Sequence, residues 1–113
     1  MTRRIGIITG LAAEARCLDR VARHSPLPIC VLHAAGDPAA AAQSLAGQGV
    51  ASLMSFGIAG GLDPALSPGR VIVATAVIDG QGGKIDCHDA WRDELIAALA
   101  SLSPLAAPLA GPV

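Results

Sequence analysis

Short apolar runs that alternate with helical patterns are the feature of this 113-residue sequence that most limits its fold. Ile5–Thr9 is a β-branched run without polar alternation, which predicts a strand buried on both faces. From Leu11 the apolar residues recur at helical spacing, and the predicted helix ends near Pro26. Strands that alternate with helices predict an α/β fold, here a three-layer sandwich with a mostly parallel or mixed central sheet.

The alternation continues along the rest of the chain. Further strands are predicted at 29–32, 52–56 and 71–78, with a second helix from Pro38 to Gly47 or Gly49 and a last one from Trp91 to Leu102. Asp37 and Asp89 are the predicted N-caps of these two helices. The segment "GQGGK" predicts a flexible stretch, and the three prolines of the tail "SLSPLAAPLAGPV" predict neither a helix nor a strand. We therefore expect the sandwich to be truncated.

Charge and composition exclude several classes of protein. The formal net charge is −1, and the sequence holds one Phe, one Trp and no Tyr. A nucleic-acid partner is therefore not expected, because such proteins use a basic surface and aromatic stacking. No apolar run approaches the roughly 20 residues of a transmembrane helix. The three cysteines show no metal-ligand spacing, so no metal site is predicted and a cytoplasmic location is expected.

Glycines follow the predicted strands at the places where a ligand would bind. The segment "SFGIAGGLDPALSPG", residues 55–69, comes directly after an apolar run and contains four glycines. Ligands of parallel α/β sheets bind beyond the carboxyl ends of the strands, and glycine lets the backbone come close to them. Three loops are predicted to meet at that edge: Gly10 with Glu14, Gly36 with Asp37, and Gly57 to Gly61.

Two of these segments resemble a known family. "IGIITGLAAEA", residues 5–15, resembles the opening of nucleoside phosphorylase superfamily proteins, including the methylthioadenosine/S-adenosylhomocysteine nucleosidases. "SFGIAGGLDPALSPGRVIVATAVID", residues 55–79, resembles their glycine loop and the strand after it. Together with "GDPAAAA", these segments are most similar to the hopanoid-associated phosphorylase branch. The resemblance implies that residues 1–113 are the N-terminal portion of a nucleoside phosphorylase-like domain.

The resemblance implies an activity and a site. The activity is cleavage of the N-ribosidic bond of an adenosine-containing substrate, such as an adenosyl-hopane intermediate, which releases adenine by hydrolysis or phosphorolysis. Glu14 would be the catalytic residue that orients the attacking water. The substrate-binding residues would be Gly10, Gly36, Gly57, Ala59, Gly60 and Gly61. No cofactor is expected, inorganic phosphate is the co-substrate if cleavage is phosphorolytic, and the family implies a homo-oligomer.

Each of these residues also has a plain structural interpretation. Glu14 could complement the helix dipole, and the glycine loop could be ordinary turn structure. Asp37 caps its helix and would repel a bound phosphate, which favours hydrolysis over phosphorolysis. His33 follows a strand at the same edge and is interpreted as a structural histidine.

A second function stays open beside the enzyme. The family's Met–Glu pair for the ribose and its purine-protonating Asp belong to a later part of those proteins. The alternative is therefore a truncated, non-catalytic homologue with only a structural role or weak adenine-nucleoside binding. An unrelated nucleotide-binding domain is disfavoured, because GxGxxG after the first strand and GxxxxGK are both absent from the sequence.

Overall fold

The computed structural model describes residues 3–102 and the backbone of 109–112. The chain divides into two compact units, Met1–Ala59 and Gly60–Val113. The expected α/β class is confirmed, with the described strands forming two three-stranded sheets.

The first unit is a parallel sheet covered by two helices. Its elements are β1 (Ile5–Thr9), α1 (Ala12–His24), β2 (Ile29–His33), α2 (Pro38–Gly47) and β3 (Ser52–Ser55). The strand order is β2-β1-β3, with Ile5 of the central strand in register with Ile29 and Ser52. The connection through α1 leads from β1 to β2 on one side, and the connection through α2 crosses β1 to reach β3 on the other side. Because such crossovers are right-handed, α1 and α2 cover opposite faces of the sheet.

The core of this unit lies between the helices and β1. Leu45 is only 1% exposed, and Ile7, Leu18 and Ala41 are also buried. Gly6 makes room for this packing, since a Cβ atom there would lie 3.1 Å from Leu45 Cδ1. The helix α2 can therefore approach the central strand closely.

Asp37 caps α2 as the sequence predicts, because its Oδ1 accepts a hydrogen bond from Ala40 N at 3.0 Å. We expect Asp37→Ala to lower the free energy of unfolding by about 1 kcal/mol, since an amide of the first turn loses its acceptor. Urea unfolding monitored by circular dichroism measures this, with Asp37→Ser as the control that keeps an acceptor. Equal midpoints for the alanine variant and the wild type would show that the cap contributes nothing.

The described part of the second unit contains a mixed sheet and one helix. Its elements are β4 (Ile72–Ile78), β5 (Lys84–Asp86), α3 (Asp89–Ala100) and β6 (Leu109–Pro112). The order is β5-β4-β6, with β5 antiparallel and β6 parallel to β4. Ala76 on β4 is buried.

The segment "GQGGK", predicted to be flexible, forms a turn in the structure. Asp79 Oδ1 accepts hydrogen bonds from Gln81 N at 2.8 Å and Gly83 N at 2.7 Å. The backbone closes the same turn, with Asp79 N donating to Gly83 O at 2.9 Å. The turn delivers the chain into β5, so Lys84 belongs to a strand.

Two predictions for this unit are wrong. The N-cap of α3 is His88, whose Nδ1 accepts from Trp91 N at 3.1 Å, and Asp89 is the first helical residue. The tail was expected to hold no strand, yet residues 109–112 form β6. Residues 103–108 of that tail lie outside the described residues.

Candidate functional site

Glu14 lies at the carboxyl edge of the parallel sheet, in the first turn of α1. It shares a face of the helix with Leu18, four residues later, and both side chains are buried. The residue as a whole is 7% exposed. Burial of a charged group is costly unless hydrogen bonds replace the lost water, so the partners of this carboxylate decide what it can do.

Three backbone amides hold the Glu14 carboxylate. Gly10 N and Leu11 N donate to Oε1 at 3.0 and 2.8 Å. Ile58 N, from the glycine loop after β3, donates to Oε2 at 2.8 Å. We call this arrangement the Glu14 cradle: the carboxylate with the N–H groups of Gly10, Leu11 and Ile58. It joins two loops, and Ile58 in the second lies 44 residues after Glu14 in the chain.

The cradle keeps the carboxylate ionised. The hydrogen bond from Ile58 N, followed by that from Leu11 N, lowers the pKa of Glu14 below its ordinary value of 4.5. Burial opposes this shift, while the Gly10 amide and the positive charge of protonated His33 add to it. A carboxylate with a lowered pKa is a poor proton acceptor near neutral pH. Glu14 is thus suited to supply negative charge and to orient a partner.

The cradle also leaves one hydrogen-bonding position open. A carboxylate has about four lone-pair sites, two on each oxygen. Oε1 accepts from two amides and Oε2 from one within the described residues. Oε2 therefore keeps a lone pair that accepts no hydrogen bond from the described residues.

The lowered pKa of Glu14 predicts a loss of stability in acid. A carboxyl whose folded pKa lies below its unfolded value stabilises the fold above the unfolded pKa, here about 4.5, and loses this contribution as the pH falls through the folded pKa. We expect the difference in urea midpoint between wild type and Glu14→Gln to shrink below about pH 4.5. A difference that stays constant from neutral pH into acid would contradict this result.

His33 connects the end of β2 to the same turn. Its Nε2 lies 3.1 Å from Gly10 O, and because a carbonyl only accepts, Nε2 carries the hydrogen. The side chain is exposed. This contact agrees with the structural interpretation of His33 from the sequence.

Gly36 and Asp37 form the turn that starts α2. Gly36 has φ +90° and Ala35 has φ +49°, so the chain passes through the left-handed region that favours glycine. A Cβ on Gly36 would meet nothing within 4 Å. Gly36 is therefore required by the conformation of the turn, and none of the three cradle amides belongs to it. Its role in substrate binding stays a prediction.

The structure brings some of the predicted loop residues to Glu14. Gly57 lies against the carboxylate and Ala59 follows the donor Ile58. Gly60 and Gly61 begin the second unit. A Cβ on Gly60 would meet nothing within 4 Å, and one on Gly61 would meet Leu66 Cβ at 3.8 Å. The predicted contacts of these glycines with substrate stay predictions.

Sequence reasoning missed the donors Leu11 and Ile58, because backbone amides are independent of side-chain type. A glutamate at the third helical position indicates one of them, since it commonly reaches back to the amide of the N-cap. Leu11 occupies that N-cap position. Nothing in the sequence indicates the Ile58 amide, because this contact depends on the tertiary fold.

Comparison with known families identifies the chain. The family model described as the phosphorylase superfamily matches residues 20–98, which is more than half of the sequence. The chain belongs to the phosphorylase superfamily. The matched range includes the glycine loop from Gly57 to Gly61 and excludes Glu14. Neither the curated proteins nor the solved structures contain a match to the chain.

Membership of the phosphorylase superfamily indicates nucleoside cleavage as the general chemistry. Among the described residues, no cluster of three or more His, Cys, Asp or Glu side chains could hold a metal ion. None of the helices in the described part of the chain is long and apolar enough to cross a membrane.

Proposed function

We propose that this phosphorylase-superfamily protein cleaves the N-ribosidic bond of an adenosine-containing substrate and releases adenine. The observation that carries the proposal is the Glu14 cradle, an ionised carboxylate with one open acceptor position at the carboxyl edge of a parallel sheet. Ligands of such sheets bind at this edge. The resemblance of residues 5–15 and 55–79 to the nucleosidases supports adenine as the base.

Glu14 fits the charge that develops in this reaction. When the bond between C1′ and the purine nitrogen breaks, positive charge builds on the sugar and the electron pair leaves with the base. A fixed negative charge stabilises such a sugar, and an acceptor on Oε2 orients the attacking water. The purine nitrogen also needs a proton, and the family's acid for this step is not one of the cradle residues.

The start of α2 supports hydrolysis over phosphorolysis. Asp37 already accepts a hydrogen bond from Ala40 N, and its negative charge repels a second anion at this helix end. A phosphate would have to bind against that charge. Water is therefore the proposed nucleophile, with phosphate as the co-substrate of the phosphorolytic alternative.

Apolar side chains around the cradle support an apolar group on the sugar. Leu11, Phe56 and Ile58 belong to the two loops that meet at Glu14, and all three side chains are exposed. Burial of such surface against a ligand is favourable. An adenosyl-hopane intermediate, proposed from the resemblance, carries an apolar group of this kind. A cytoplasmic location and a homo-oligomer stay predictions.

Adenine release by the purified protein tests the proposal. The substrates are 5′-deoxyadenosine and methylthioadenosine, each with and without inorganic phosphate. We expect release without phosphate, and release that requires phosphate would identify a phosphorylase. No release from a chain with a native circular dichroism spectrum would favour the alternative, a non-catalytic homologue that binds adenine nucleosides weakly or has only a structural role.

A further inference from the structure

Gly57 lies too close to the Glu14 carboxylate for any side chain to fit. A Cβ atom on Gly57 would overlap Oε2 and would lie 2.8 Å from Cδ and 3.1 Å from Oε1. The φ of Gly57 is outside the left-handed region, so an L-residue could adopt its backbone conformation. Space, and not backbone conformation, therefore requires glycine at this position.

This requirement distinguishes Gly57 from the other glycines of the two loops. A Cβ on Gly10 would meet Glu14 Oε1 at 3.8 Å, which is an ordinary contact. A Cβ on Gly60 or Gly61 would meet nothing closer than 3.8 Å. Among these positions, only a side chain on Gly57 would displace the carboxylate.

The cradle determines which hydrogen bond a displaced carboxylate loses. The amides of Gly10 and Leu11 precede Glu14 by four and three residues, so a shifted side chain can still reach them. The Ile58 amide belongs to a distant segment and follows Gly57 directly. A methyl group on Gly57 would push the carboxylate away from its own loop, and the Ile58 hydrogen bond would break first.

We propose that Gly57 is a positioning residue, whose missing side chain lets the Glu14 carboxylate bind the Ile58 amide and so fixes the glycine loop to the β1–α1 turn. The sequence predicted that Gly57 leaves room for a ligand, and the structure shows Glu14 in that space. The effect of Gly57 on activity rests on the proposed function. The effect of Gly57 on the cradle is independent of that function.

Nuclear magnetic resonance of Gly57→Ala tests the contact without substrate. We expect the Ile58 amide to lose protection from hydrogen exchange by roughly 10- to 100-fold, because its acceptor is lost. The pKa of the Glu14 carboxyl, measured by carbon-13 titration, should rise toward 4.5. The Gly10 and Leu11 amides should keep their protection. Unchanged Ile58 protection and an unchanged Glu14 titration would overturn the proposal.

A double-mutant cycle, in which Tm is measured for each variant, keeps the proposal testable if Gly57→Ala folds poorly. In Glu14→Ala the carboxylate is gone, so adding Gly57→Ala should lower Tm much less than it does in the wild type. An equal loss of Tm in both backgrounds would show that the clash lies elsewhere and would overturn the proposal. Gly47→Ala is the matched control, because its Cβ would meet nothing within 4 Å.

These measurements separate the two proposals. In one outcome the chain releases no adenine while Gly57→Ala shows the expected changes in hydrogen exchange and in the Glu14 titration. This result would refute the enzymatic function and support the role of Gly57. If adenine release is present, we expect Gly57→Ala to lower kcat more than it raises KM, because the water-orienting carboxylate is displaced. An unchanged kcat would contradict the link from the cradle to catalysis.

Discussion

Replacing Glu14 by glutamine is expected to lower kcat for adenine release by about 10²- to 10³-fold. The substitution removes the negative charge that we propose stabilises the sugar in the transition state. It also disturbs the cradle, since a glutamine has one acceptor oxygen and one donor NH₂ group. Keeping the oxygen on Gly10 N and Leu11 N turns the NH₂ group toward Ile58 N, so two donors face each other.

Steady-state kinetics of Glu14→Gln, Glu14→Asp and Gly47→Ala compare loss of the charge with loss of the geometry. Glu14→Asp keeps the charge on a shorter side chain that cannot reach both loops, so we expect it to be impaired as well. Gly47→Ala, at the end of α2, should match the wild type. An activity of Glu14→Gln within a few fold of the wild type would show that Glu14 is not the catalytic carboxylate.

Leu45→Ala is expected to lower the free energy of unfolding by about 2 to 5 kcal/mol. Leu45 is among the most deeply buried side chains, with 1% exposure. Its Cδ1 lies against Gly6 on the central strand, so truncation leaves a cavity between α2 and the sheet. Urea unfolding measures the loss, with Leu27→Ala as the control because Leu27 is about half exposed.

Gly6 provides a second test of the same packing. Gly6→Ala alone should destabilise the chain, because its methyl group would lie 3.0 Å from Leu53 Cδ2 and 3.1 Å from Leu45 Cδ1. Combined with Leu45→Ala, the new methyl group enters the cavity. The double variant should therefore lose less stability than the sum of the single losses. Strict additivity would show that α2 does not pack on Gly6 as described.

The sequence predicts the elements whose signals are local. The period of apolar residues locates β1 and α1 closely, and Asp37 with Pro38 marks the start of α2. It does not predict β5, because three exposed residues become a strand only by pairing with β4. His88 was missed as a cap because the rules favour Asp, although an unprotonated imidazole nitrogen can accept the same bond.

The same distinction applies to the site. The rule for parallel sheets predicts that Glu14 and the glycine loop meet, and the Ile58 hydrogen bond shows that they do. The need for glycine at position 57 could not be predicted, since it depends on the distance between Gly57 and the Glu14 carboxylate in the packed structure. Side-chain identity indicates where a functional group lies in the chain. The distances between loops come from the packed fold.

The start of α1 gives Glu14 a structural role beside the catalytic one proposed for it. Leu11 at the N-cap has no polar side chain to accept a hydrogen bond from the first turn, and Glu14 binds the backbone amide of Leu11 itself. Residues placed for chemistry usually cost a protein stability, and their replacement often makes it more robust. For Glu14 we expect the opposite: its replacement should lower stability, because the carboxylate also binds the start of α1 and the glycine loop. Selection for a durable fold and selection for the reaction would preserve the same residue.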